Sequence, residues 1–324
     1  MSLEDSVTRA AYAAIASAVR FMPGDVYRAI VRAWEKEESP IASKVLESMI
    51  RTMELSCGRG LPLCQDTGTP HFLVELGDGF PVRSKLYTLL EEAVRRATLK
   101  GLLRPNAVDP LTSRNTGDNT GLGLPVVEVE LVEGDSLRIH FAAKGGGSEK
   151  PSALKIYTPT TPLVEAAWSL VRESLEKYGP LACPPVIVGV GFAGTAAEAV
   201  RLSRKALFRP VGERHWDDRI AAMEEELLAR VNRLGLGPQG LGGLATALDV
   251  KIEYSYRHTA VLAVAVSTMC WSARRATVEV LPTGEATIVS EHLAPSNDAC
   301  APRRISLEEA LTPITHPSGL VLRV

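Results

Sequence analysis

Apolar residues recur at three-to-four spacing over residues 5–20, 25–38 and 41–55, so the start of the chain predicts three helices, the first of them amphipathic. After the loop GRGLPLCQDTGTP, HFLVEL at 71–76 reads as a short strand and 84–100 as a helix charged on one face. A turn-rich segment spans 104–125. Alternation in VVEVELV (126–132) and SLRIHFAA (136–143), separated by Glu-Gly-Asp, predicts a β-hairpin with one face buried. Helical spacing returns at 161–178, 195–207 and 215–234, and strand patterns at 245–254 and 259–266. ATVEV and EATIV, within 276–289, bracket a Pro-Thr-Gly turn. Helices and hairpins are clustered and do not alternate as βαβ units, which predicts an α+β fold. The expectation is a helix-rich single domain over 1–292 with small mixed or antiparallel sheets and a helical N-terminal region. An irregular tail, rich in Pro and polar residues, is expected at 293–324.

The chain has 324 residues, enough at about 150 per domain for two structural units or one large core. Hydrophobic residues at 45% against 23% charged place it among folded chains and exclude disorder. A net charge of -2 leaves no basic surplus to attract phosphate backbones or anionic lipid, so neither nucleic acid nor membrane is an expected partner. The longest apolar runs, Pro184–Gly194 and Thr259–Cys270, fall short of the ~20 residues a membrane-spanning helix needs. Acids and an arginine occupy the first turns where a secretory signal would need a basic end and an apolar core, so a cytoplasmic protein is expected. Five cysteines, Cys57, Cys64, Cys183, Cys270 and Cys300, are widely spread in a chain too large to need disulfide staples. Reduced thiols, some of them metal ligands, are the expectation.

Gly, Asn, Thr and Cys concentrate in five loops: LCQDTGTP (63–70), RNTGDNTG (114–121), KGGGSEK (144–150), CPPVIVGVGFAG (183–194) and LGPQGLGG (236–243). Glycine lets backbone N–H groups approach a ligand closely, although each loop alone reads equally well as a set of turns. Gly189-x-Gly191-x-x-Gly194 follows an apolar run and opens a helical pattern, the local context of a dinucleotide-binding fingerprint. The next strand and its ribose-binding acid should follow roughly 20 residues on. FRPVGERHWDDR stands there instead. The spacings of 119 and 87 residues between Cys64, Cys183 and Cys270 are no local zinc pattern, and three buried structural cysteines would read the same way. Cys64 and Cys183 nevertheless adjoin Pro or Gly turns, where a thiolate can be aimed and stabilised. Cys57 and Cys300 lack such surroundings and read as bystanders.

Taken in order, CQDTG, NTGDNTG, KGGGSE, CPP with its following G-x-G, LGPQGLGG with T-x-L-x-V, and His258 with Cys270-Trp-x-Ala-Arg274 resemble the α subunit, or N-terminal half, of class I iron–sulfur hydro-lyases. These are class I fumarase and the related L-tartrate dehydratase. The resemblance covers residues from about 60 to 275. It implies a [4Fe–4S] cluster held by Cys64, Cys183 and Cys270, with one iron left open as a Lewis acid. It further implies that Asp66 exchanges a proton with the departing hydroxyl and that Gln65, Arg104, Gly147 and His258 bind substrate. Without the resemblance, Asp66 reads as a turn residue, Arg104 as a solvated charge and His258 as a satisfied core histidine.

One departure is Lys150-Pro151 where the family's Gly-rich loop continues with Asn. The family's β half, with its Ser-Gly-Thr substrate loop, is not found in these residues. The resemblance therefore implies a separate β subunit, an α₂β₂ assembly and a small dicarboxylate substrate, fumarate or malate first and tartrate as the alternative. A nicotinamide-binding dehydrogenase, or a metal-free interaction or regulatory protein, stands as the reading from another class.

Overall fold

The computed structural model describes residues 1–296, 299–312, 314–315 and 321–322. In chain order the elements are α1 (Leu3–Arg20), α2 (Gly24–Lys36), α3 (Pro40–Arg59), β1 (Thr69–Gly77), α4 (Leu86–Leu99), β2 (Val126–Val132), β3 (Leu137–Lys144) and the one-turn α5 (Gly146–Glu149). They continue with β4 (Ala153–Tyr157), α6 (Leu163–Tyr178), β5 (Val186–Ala193), α7 (Ala196–Ala206), α8 (Asp218–Asn232), β6 (Ala247–Tyr254) and β7 (Leu262–Met269). The C-terminal part holds β8 (Arg275–Val280), β9 (Ala286–Ile288), β10 (Glu291–Ser296), β11 (Ala299–Arg304) and α9 (Leu307–Leu311). The α+β class expected from the clustering of patterns is the class observed. Two compact units share the chain: unit 1 is Met1–Gly24, Thr52–Lys144 and Ala273–Val324, and unit 2 is Asp25–Arg51 and Gly145–Ser272. No helix among the described residues is long and apolar enough to cross a membrane.

Unit 1 is built on a sheet of order β2-β1-β3-β8-β9. Val126–Val132 and Leu137–Lys144 are both strands, but they do not form the expected hairpin. The first strand, β1, lies between them, parallel to β2 and antiparallel to β3. The cause is at the end of β1. Gly77 donates its N–H to Ser136 O at 3.0 Å and Gly79 donates to Gly134 O at 2.8 Å, beneath the 133–136 turn. A Cβ on Gly77 would stand 2.7 Å from both Gly134 O and Ser136 O. Glycine there lets the turn pass over β1, so that β2 and β3 flank it on either side.

Helix α1 was expected to be amphipathic, yet it is buried on nearly every side from Ser6 to Arg20. Its AAYAAIASAV run is small enough for β3, β8, α4 and α9 to pack around it. The C-terminal segment supplies part of that cover, which explains why residues 299–311 are more regular than their composition suggests. α9 has a capping box, with Ser306 and Glu309 satisfying one another's backbone N–H groups. The buried Arg20 guanidinium closes its other end on the carbonyls of Ala310 and, at 2.8 Å, Thr312. Leu293 N–H donates to Met22 O at 2.7 Å, tying β10 to the end of α1.

Unit 2 holds a sheet of order β4-β7-β5-β6, with β5 and β6 parallel and the other pairings antiparallel. Alternation along β5 assigns its two faces. Val186, Val188, Val190 and Phe192 enter the core formed with α6 and α8. Gly189 and Gly191 face α7, where a Cβ would come within 2.1 Å of Ser203 O and 2.0 Å of Ala199 O, respectively. These glycines therefore serve a close helix-on-sheet approach and do not form a phosphate-binding turn. The segment that lacked the second nucleotide-binding strand is a polar clasp. Glu224, fully buried, accepts from Arg209 and from the N–H groups of His215 (3.1 Å) and Ile252 (2.8 Å). Asp249 accepts from Arg214, from Gly212 N–H at 2.7 Å and from Lys251 at 2.8 Å.

The Gly191→Ala substitution is expected to cost about 3 kcal/mol, because α7 cannot withdraw without opening the sheet face. Gly58→Ala is expected to be neutral or slightly stabilising, since Gly58 is helical and meets nothing within 4 Å. Denaturant midpoints of the two variants check this, and equal midpoints would contradict it.

Candidate active site

In unit 1 the CQDTG and NTGDNTG loops are joined by side chains that the sequence reading did not single out. Asp66 accepts from Gly68 N–H at 3.0 Å and from Asn106 Nδ2 at 3.3 Å. The Arg104 N–H donates to Thr67 Oγ1 at 2.9 Å, so Asp66 and Arg104 belong to one constellation. Gly68, at a φ of +85°, sits where a Cβ would meet the backbone of Ala143 and Lys144 at 2.7–2.8 Å. The loop is thus pressed onto the end of β3, with Cys64 and Gln65 exposed beside it.

Asn119, buried and itself at a φ of 61°, organises the Arg104 turn. Its Oδ1 accepts from Asn106 N–H (2.7 Å) and Ala107 N–H (3.1 Å), while its Nδ2 donates to Arg104 O (2.8 Å) and Thr98 Oγ1 (3.0 Å). Asn115 adds a bond from Nδ2 to Pro105 O at 3.0 Å. Burial pushes the Asp118 carboxyl up, but the Thr120 N–H and hydroxyl and the Arg95 guanidinium outweigh it and hold the group below the ordinary carboxylate value. The only signal for these roles in the sequence is the density of Asn and Thr in the two loops.

Unit 2 brings together Cys183, Cys270 and the Gly-rich turn. Cys183 takes a left-handed conformation, φ 54° and ψ 67°, just after the 3-10 turn Gly179–Ala182. Its carbonyl accepts from Trp271 N–H at 3.3 Å, which sets it beside the residue following Cys270. Gly147 lies so close to Leu181 that a Cβ would be 2.4 Å from the carbonyl oxygen. Thr268, two residues before Cys270, donates its hydroxyl to Ser148 O at 2.8 Å and so holds α5 against β7. The LGPQGLGG loop closes from another side, with Gln239 N–H donating to Pro184 O at 2.8 Å and Gly240 packed on Pro180. The Cys270 Sγ lies 3.1 Å from Ser272 Oγ.

His258 is placed elsewhere. It precedes β7 while Cys270 follows it, so the eight residues of the strand separate them by about 27 Å. The imidazole is exposed, with Nδ1 accepting from Ala260 N–H at 3.1 Å, and its backbone lies against Gly194.

The cysteines divide into two classes. Cys57 and Cys300 form a disulfide within unit 1, so the expectation of reduced thiols throughout is corrected for this pair. Packing of β11 beside the end of α3 brings them together, with the Cys300 Sγ 3.8 Å from Glu54 O. Cys64, Cys183 and Cys270 are not in a disulfide, the first exposed and the other two partly so. Cysteine thiols that are not closed in a disulfide are the donor chemistry that an iron–sulfur cluster requires. Among the described residues no three His, Cys, Asp or Glu side chains form a ready metal shell. Cys64 belongs to unit 1, and Cys183 and Cys270 to unit 2.

Residues 8–279 match the profile described as fumarate hydratase (Fumerase). A Methanocaldococcus jannaschii protein provisionally named L(+)-tartrate dehydratase subunit alpha is 41% identical over 260 residues, covering 79% of this chain and 91% of its own. The L(+)-tartrate dehydratase subunit alpha of Escherichia coli strain UTI89 is 40% identical over 260 residues, covering 80% and 86%, and that of Shigella sonnei is 39% identical with the same coverage.

Alkylating the unfolded, unreduced chain should label Cys64, Cys183 and Cys270 alone, with Cys57 and Cys300 becoming available only after reduction; peptide mass spectrometry reads the outcome. Asn119→Ala should cost about 2–4 kcal/mol in denaturant, since it strands several polar groups at once. A loss below about 1 kcal/mol would mean that water replaces the amide.

Proposed function

The chain belongs to the fumarate hydratase family and is a hydro-lyase, and on that premise we propose that it is the α subunit of an iron–sulfur enzyme that interconverts fumarate and malate, active together with a separate β subunit. The partition of the cysteines carries this reading: two are closed in a disulfide, and three lie outside it, Cys64 on the loop of Asp66 and Cys183 and Cys270 beside the Gly147 turn. Cys64, Cys183 and Cys270 are the proposed thiolate ligands of a [4Fe–4S] cluster. When bound, that cluster supplies an open Lewis-acidic iron for the hydroxyl that leaves as water.

This chain's own groups act on the hydroxyl and the carboxylates, and the base that takes the carbon-bound proton is assigned to the separate β subunit. Asp66, held by Gly68 N–H and Asn106, keeps an oxygen fixed from which a proton can pass to the departing hydroxyl. Arg104 gives a substrate carboxylate a planar cationic partner, and Asn119 and Thr67 fix the backbone from which it projects. Gln65 supplies a neutral polar contact beside Asp66, and Gly147 a backbone N–H. His258, at the far end of β7, is given no part in the half-site formed by Cys183, Cys270 and Gly147. A cytoplasmic α₂β₂ assembly completes the reading.

L-tartrate is the second substrate reading, and the relatives that carry tartrate dehydratase names favour it. A dicarboxylate bearing one more hydroxyl would use the same carboxylate and proton contacts. Hydride transfer to a nicotinamide finds no support, because Gly189 and Gly191 lie under α7.

Oxygen-free purification should give iron, acid-labile sulfide and a broad visible absorption. These should be lost in Cys64→Ser, Cys183→Ser and Cys270→Ser and kept in Cys57→Ser and Cys300→Ser. With the β subunit present, Asp66→Asn should keep the colour and lose about 10²-fold or more in kcat. A colourless chain after anaerobic iron and sulfide reconstitution would overturn the proposal, and the ratio of kcat/KM for malate and L-tartrate decides the substrate.

A further inference from the structure

A cavity of about 430 Å³ opens in unit 1 against the first turns of α1 and the last turn of α4. Arg9, Arg96 and Lys100 line it, with Asp5 as the one carboxylate among its lining residues; Arg9 pairs with Glu308 at 3.4 Å, which leaves Arg96 and Lys100 as the cations open to a ligand. The carboxylate is already committed. Asp5 accepts from the Ser2 hydroxyl at 2.8 Å and the Ser2 N–H at 3.2 Å, bonds that hold its carboxyl below the ordinary value. Arg96 gives Nε to Glu92 at 2.7 Å and keeps its terminal nitrogens outside that contact, whereas Lys100 makes no ion pair among the described residues.

A second feature is independent of these charges. Tyr12 lines the same cavity and is 7% exposed, and its buried hydroxyl has no hydrogen-bond partner among the described residues. A buried hydroxyl without a partner is costly, and native proteins rarely leave one unless something else fills the place. Burial, opposed by the nearby Arg20, pushes Tyr12 up to about 12, so the group stays protonated and can only be a donor to an anion. The side chains of Met1 and Leu311 give part of the remaining wall an apolar character, beside the Met1 ammonium that acts on Asp5.

We propose that this cavity is a binding site for a small organic monoanion, a carboxylate on a short apolar body, with Arg96 and Lys100 taking its charge and the Tyr12 hydroxyl donating to it. A dicarboxylate fits poorly, because its second charge would lie against the Leu311 side chain or face Asp5. None of the residues proposed for the hydro-lyase reaction lines the cavity, so the site stands or falls apart from that reading.

Calorimetric titration of the full chain with octanoate, octylammonium and fumarate at low salt tests the proposal. Octanoate should bind one per chain, with octylammonium and fumarate at least 10-fold weaker. Lys100→Gln, at an exposed position that leaves folding intact, should weaken octanoate about 5-fold, and Tyr12→Phe about 10-fold. The melting temperature of ligand-free Tyr12→Phe should be equal or higher, since the substitution removes a hydroxyl that has no partner. Octanoate bound no better than octylammonium, or with unchanged affinity in both variants, overturns the site. Fumarate bound as well as octanoate overturns the ligand class.

Discussion

Backbone meeting backbone at distances that admit no side chain is the constraint from which the arrangement follows. Gly189 and Gly191 let α7 lie on β5, Gly77 lets the 133–136 turn cross β1, Gly68 presses the CQDTG loop onto β3, and Gly147 brings α5 against the turn that precedes Cys183. Each contact takes a loop that would otherwise wander and gives it one position. Close-packed interiors transmit such constraints because they have no slack to absorb them. The groups with chemistry are therefore aimed by neighbours that have none, and the glycines are as much a part of the site's geometry as Asp66 or the thiols.

Polar side chains then fix what the glycines allow. Asn119 satisfies four groups around Arg104 with one amide, and Glu224 and Asp249 gather three cations and several N–H groups to hold the 207–217 segment on β6. Both networks are buried and both act on irregular chain. A loop held in this way has little conformational freedom left to lose when a ligand arrives, which is the physical meaning of preorganisation.

Much of this was legible in the pattern of residues. The helical stretches, the strands at 71–76 and 245–254, and the loops rich in Gly, Asn and Cys were all readable, because periodicity and turn chemistry are local properties. What was not legible depends on encounters between distant segments. The alternation of 126–132 and 136–143 marks two strands but is silent on the insertion of β1. The G-x-G of β5 has the same letters whether it cradles a phosphate or lies beneath a helix. The Cys57–Cys300 pairing follows from β11 reaching α3, and nothing around either residue announces it. At the site, Asp66 and Cys183 stood out by type, whereas Thr67, Asn106, Asn119 and Gln239 could be found only through the bonds they make. His258, near Cys270 in sequence, lies a full strand away because β7 runs straight between them.

The Cys57–Cys300 bridge has a topological side. It joins residues 243 apart, from the end of α3 to a strand outside the span 8–279 that matches the family. The chain between them is thereby a covalent ring, and the whole of 145–272 is strung within it. A ring of that size restricts the denatured chain by about 5 kcal/mol in the chain-entropy account. A single backbone break inside it does not release a fragment. The segment beyond the family span is in this sense the knot that ties the thread: it contributes no group to the proposed chemistry, yet it keeps in one molecule every loop on which that chemistry is proposed to rest.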